Sequence, residues 1–236
     1  MTKKITDLLS VFYFVLVVFL AVSVYYNTEL LTCISRVLCM VLIVGIYLLN
    51  SNKKDKIYLY SLLSCFISVL LFFFNQSETG VLAAGLFFII YRVLMIDIIF
   101  KKSKTIRVIP VFLGSVPFFA FLLYVVFLTH SSLGHNFYPA IIHVLLISLM
   151  AGVVVSNYIL EDDVKNIWLL TSVLFFTIMI FVFIIERYYI EIELFKPLRS
   201  VTFFIGQYLF LRYMILSEHQ TVIDLPLETI EESVSK

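Results

Sequence analysis

The sequence predicts an all-α, polytopic membrane bundle of about eight transmembrane helices, with N-terminus and C-terminus both on the cytoplasmic side (N-in, C-in). Three observations lead there. Hydrophobic residues fill 62% of the 236 positions, against roughly 45–50% in soluble domains. Charged residues fill 14%, against about 25% in soluble domains. The apolar residues also fall in runs of about 18–24, which at about 1.5 Å per residue are long enough to cross a hydrocarbon core. A closed β-barrel is the other way to satisfy a backbone in lipid, and its alternating pattern is absent.

Eight spans are expected at 8–26, 30–50, 57–74, 80–100, 108–128, 137–160, 166–189 and 199–217. The first follows Lys3 and Lys4 and includes Ala21-Val22-Ser23, so it could pass for a signal peptide. Its apolar run continues through Tyr26 and further spans follow, so a retained helix is expected. The second carries Cys33, Cys39 and Arg36, the third Cys65, and the fourth Arg92 and Asp97. The three cysteines lack metal-ligand spacing and read as small buried hydrophobes. Pro110 and Pro117 lie in the fifth span and Pro139 near the start of the sixth; such prolines signal packing kinks or a lined cavity. The seventh ends at Glu186 and Arg187, and the eighth carries Gln207 and Arg212. Connections are short, so sequential helices are expected to pack as antiparallel neighbours. Residues 1–217 form one transmembrane domain, and 218–236 a polar, acidic tail with Asp224, Glu228, Glu231 and Glu232.

Orientation follows from the basic residues. Lys3, Lys4, Lys53, Lys54, Lys56, Lys101, Lys102, Lys104, Arg107 and Lys165 fall on one side, and only Arg187, Lys196 and Arg199 on the other. Ten against three places both termini in the cytoplasm, and an even number of spans agrees. A bacterial inner (plasma) membrane is the expected location. The net charge of +1 provides no electrostatic footprint for nucleic acid. No internal repeat, Gly-rich phosphate loop, HExxH helix or GxSxG elbow is present, and no metal or cofactor is implied.

Ionisable groups inside a membrane are costly, by roughly 2.5–3.5 kcal/mol each on insertion scales, so each is a candidate functional residue. Arg36, His143, Glu186, Arg187 and Gln207 fall on the outer half of the bundle, and Arg92, Asp97 and Arg212 on the inner half. Arg92 and Asp97 lie five residues apart, about 140° around a helix, and so do not pair with each other. Asp97 is expected to face Lys101–Lys104 or Arg212. Singly, such residues snorkel or make one interhelical hydrogen bond. Facing inward together, they would line a pocket for an amphiphile with a charged head and an apolar tail.

The last hairpin sharpens this. An apolar span leads to IIERYY, then FKPLRS, then VTFFIGQYLFL. That order resembles the last hairpin of the lysoplasmalogenase (YhhN-like) family, on Glu186, Arg187, Tyr188, Phe195, Pro197, Phe203, Phe204 and Gln207. LLSCFISVLLFF and AAGLFFIIYRVLMI in the third and fourth spans are similar too, and the family's eight spans match. The resemblance implies hydrolysis of the vinyl-ether bond of lysoplasmalogen or a related lyso-lipid, giving an aldehyde and a glycerophospho-base. It also places two intramembrane aspartates near Ser68 and Ile180 and a histidine near Tyr91 or Arg92, and this chain has none of the three. The proton donor that such chemistry needs then falls to Asp97 or Glu186, aided by His143. Arg36, Arg92, Arg187, Gln207 and Arg212 are the expected polar lining, and a membrane lipid or lyso-lipid the partner. The alternatives are a non-catalytic lipid-binding or structural relative and, with repeat symmetry absent, a small transporter. Nothing in the sequence speaks to oligomeric state.

Overall fold

The computed structural model describes residues 2–51, 53–74, 77–103, 106–161 and 163–234, with side chains throughout except at 2, 3, 78 and from 219 onward. Among the described residues, eight helices are long and apolar enough to cross a membrane. In chain order the helices are α1 Thr2–Tyr25, α2 Glu29–Asn50, α3 Lys56–Phe74, α4 Glu78–Lys102 and α5 Val108–Leu128, then the four-residue α6 His130–Leu133. A 3₁₀ turn at Gly134–Asn136 leads into α7 Phe137–Leu160, α8 Val164–Tyr188 and α9 Phe195–Val234. The expected spans agree with these to within a few residues, apart from the start of α1 and the two ends of α9. Lys104 and the side chains of Asp224, Glu228, Glu231 and Glu232 lie outside the described residues.

Helix starts follow the chemistry of the first turn, whose amides have no intrahelical partner. Pro110, Pro139 and Pro197 each occupy the third position of their helix, where a missing N–H is harmless. Only Pro117 among these prolines sits inside a helix. Pro197 therefore opens α9 early, and Arg199 stands on a helix rather than in a connection. Ser77 caps α4 by accepting from the Gly80 amide at 3.2 Å. Asn27 adopts φ 53° just past α1, the left-handed conformation that lets a helix end and the chain reverse.

α8 packs along α9, α3 against α4, α1 against α2, and α7 against α8, as short connections require. The expectation also holds for α5 and α7, the fifth and sixth spans, and fails between α4 and α5: α4 packs on α3 and α7, and α5 on α7 and α8. Small residues explain the choice. A Cβ on Gly114 would lie 3.2 Å from the Gly152 backbone, and one on Gly152 would overlap Ser115 Oγ and Val111 O. The α5 and α7 backbones touch there, which only glycine permits.

Lipid tails are as apolar as leucine, so helices in a membrane associate through close packing and interhelical hydrogen bonds. Ser64 and Ser68 of α3 donate to Phe87 O and Ala84 O of α4, both at 2.8 Å. Ser172 of α8 donates to Gly206 O of α9 at 2.8 Å, and Tyr13 of α1 to Phe204 O at 2.7 Å. Glu218, the first residue of the expected tail, is buried and accepts from the Tyr47 hydroxyl at 2.6 Å. The backbone continues helical from there to Val234. Cys33, Cys39 and Cys65 are free thiols, two of them buried.

Candidate functional site

At the end of the bundle opposite the termini, six long helices leave a partly open cavity of about 200 Å³. The start of α2 contributes Arg36, the end of α3 Ser68 and Phe72, and the start of α4 Leu82 and Phe88. α7 adds Pro139 and His143, α8 adds Ile180 and Phe183, and α9 adds Arg199, Ser200 and Phe203. Most of this wall is apolar. Its polar groups are the two guanidiniums, the His143 imidazole, Asn136, Tyr188 and the Ser68 and Ser200 hydroxyls.

The α8–α9 hairpin builds the charged end. Glu186 lies in the last turn of α8 and Arg199 early in α9, and the antiparallel return sets them face to face. Their ion pair measures 2.6 Å, with 8% of the Glu186 side chain and 19% of the Arg199 side chain exposed. Arg199 also lies over Phe72 and Phe183, at 6.0 and 5.4 Å from the ring centres. Arg36 lies 5.8 Å over Phe73 and feels the charges of both Arg199 and Glu186. No ion pair to Arg36 forms among the described residues. Outside the spans, Lys196 pairs with Glu191 at 2.8 Å, and that hydrogen bond holds the Glu191 carboxyl below its usual pKa. The contribution is present at neutral pH and fades as acid protonates Glu191.

The eight expected site residues part company here. Arg36 and His143 line the cavity, and Glu186 borders it through Arg199. The remaining five lie elsewhere. Arg187 is exposed. Asp97 pairs with Lys101 of its own helix at 2.7 Å, the side chains 41% and 59% exposed, a solvated pair of the kind worth about 0.3–0.5 kcal/mol. Asp97 thus turns to the basic residues at the end of α4, as expected, and the three candidate catalytic groups do not converge. Arg212 lies 5.6 Å over Trp168. Gln207 is fully buried and donates to Tyr91 Oη at 2.8 Å and Cys65 Sγ at 3.3 Å.

Arg92 is 0% exposed, and its three guanidinium nitrogens find no hydrogen-bond partner among the described residues. Three rings face it instead: Phe176 at 4.5 Å, Phe88 at 5.2 Å and Tyr91 at 5.6 Å. Cation–π attraction of up to about 2 kcal/mol each offsets part of the desolvation of a buried charge. Phe88 links this layer to the cavity, its ring tilted and 5.5 Å from that of His143. The Nδ1 atom of His143 is buried and without a partner.

The sequence reading uses Arg199 only in the count of basic residues that sets orientation, and so misses it as a cavity residue. The signal was Pro197, which marks a first turn and puts Arg199 across from the end of the preceding span. Ser68 and Ile180 were singled out only as places lacking a carboxylate, and both line the cavity. No carboxylate lines it among the described residues.

The model of the YhhN family matches residues 30–214, which takes in every cavity residue. No curated protein and no solved structure matches the chain.

Proposed function

The chain belongs to the YhhN family, and from that premise we propose that its cavity binds a single-chain lyso-lipid, without the carboxylate chemistry the family resemblance implies. One observation carries this reading. The cavity joins a charged end, Arg36 and Arg199, to a wall of phenylalanine and aliphatic side chains, and Ser68 and Ile180 line it where the resemblance calls for aspartates. A lyso-lipid has that shape, a polar head on one apolar tail.

Hydrolysis is the second reading, and the unpartnered Nδ1 of His143 favours it. A proton added to the vinyl carbon would leave an oxocarbenium ion. Water would add to it, and the hemiacetal would collapse to an aldehyde and the glycerol-side alcohol. His143 is the titratable group in the wall able to move that proton. Glu186 is held by Arg199, and Asp97 lies outside the wall.

Native mass spectrometry of the protein in detergent with lysoplasmalogen, paired with an aldehyde assay, separates the two. The expected result is a bound lipid and no aldehyde. Aldehyde release that disappears in His143→Ala would establish the hydrolase reading in its place, and absence of bound lipid would remove both.

We further propose that the chain sits in a bacterial inner membrane and, on the ten-to-three division of basic residues, that both termini are cytoplasmic. A reporter active only in the cytoplasm should be active when fused after Lys236, and a silent one would reverse the orientation.

A further inference from the structure

Resting on the reading that the cavity holds a lyso-lipid, we infer that the head it selects is acidic, carrying one negative charge and no ammonium group. The charge count at the charged end sets this. Arg36 and Arg199 contribute two positive charges to the wall, and Glu186 cancels one of them through the 2.6 Å pair. Arg36 forms no ion pair of its own among the described residues, and the charges of both Arg199 and Glu186 act on it. One positive charge is left over in a site walled mostly by apolar side chains. A phosphodiester or carboxylate head supplies the missing charge and accepts the guanidinium hydrogen bonds.

The same arrangement disfavours a choline or ethanolamine head. Among the described residues its ammonium would meet no free carboxylate, because the bordering one, Glu186, is already paired. An aromatic cage is the other means of holding a quaternary ammonium. Three of the rings nearest the guanidiniums are already engaged: Arg199 lies over Phe72 and Phe183, and Arg36 over Phe73. The phosphate of a zwitterionic head would pair with Arg36 only by leaving its own ammonium without a partner. This head preference departs from the phospho-base product that the family resemblance implies.

The test is competitive binding to the purified protein in a neutral detergent. The probes are lysophosphatidylglycerol and lysophosphatidylcholine of the same acyl chain, the matching monoacylglycerol, and glycerol 3-phosphate. A charge-assisted contact predicts that the acidic lyso-lipid binds about ten-fold or more tightly than the choline one. Arg36→Gln should remove that preference, whereas Arg36→Lys should keep most of it. The lysine variant guards against misfolding, since it keeps the charge and changes the shape. Equal binding of the two lyso-lipids overturns the acidic-head inference and leaves the cavity reading intact. Binding of none of the lipids overturns both. Glycerol 3-phosphate binding as tightly as the acidic lyso-lipid would make this a site for a soluble anion and would also overturn the inference.

Discussion

Glu186→Ala should destabilise the protein by about 3 kcal/mol, the low end of the range for breaking a buried ion pair. The low end applies because Arg199 keeps 19% of its side-chain surface. Asp97→Ala, which breaks an ion pair of almost the same length, should change stability by less than about 0.5 kcal/mol. Distance does not separate the two pairs; burial does. Thermal unfolding in detergent reads the difference. The uncompensated Arg199 should be the source of the loss, so the double variant Glu186→Ala, Arg199→Met should unfold closer to wild type than Glu186→Ala alone. Equal shifts for Glu186→Ala and Asp97→Ala would mean that the Glu186 pair is solvated and that Arg199 needs no counter-ion.

Gly152→Val should be the most damaging apolar substitution in the bundle, at about 3 kcal/mol, the upper end for overpacking. Its Cβ would run into Val111 O and come within 2.8 Å of the Ser115 amide. Those are backbone atoms, and they cannot rotate away as a side chain can. α5 would have to lift off α7, the helix that carries Pro139 and His143 into the cavity wall. Gly45 is the control, because a Cβ there meets nothing within 4 Å. Gly45→Ala should be neutral or slightly stabilising through helix propensity. If the two glycine variants melt together, the α5–α7 contact is looser than the geometry requires.

These two predictions also mark where sequence reading succeeds. Glu186 and Asp97 both read as carboxylates near the end of a span, each with a basic residue nearby. Asp97 finds Lys101 one turn along its own helix, a relation visible in the sequence. Glu186 finds Arg199 across a hairpin, and that relation becomes visible once Pro197 is read as a first-turn residue. Gly114 and Gly152 carry no local signal, since a glycine in a span reads the same whether it faces lipid or another backbone. Arg92 and Gln207 were recognisable as costly, yet that cost does not say whether such a group opens into a cavity or is sealed among rings and other helices.

By itself the sequence determined the all-helical class, the number and near-exact extent of the spans, and the outline of the last hairpin that the family match bears out. Those properties are sums over about twenty consecutive residues, and transfer from water to hydrocarbon adds up locally along the chain. The tertiary structure alone decided which polar groups meet. It brought Arg36, His143 and Arg199 from three helices to one cavity, and left Asp97, Arg187 and Arg212 outside it. That choice depends on the rotation and depth of each helix against its neighbours. In lipid no hydrophobic gain sets these, so they rest on close contacts such as Gly114 against Gly152 and on a few interhelical hydrogen bonds.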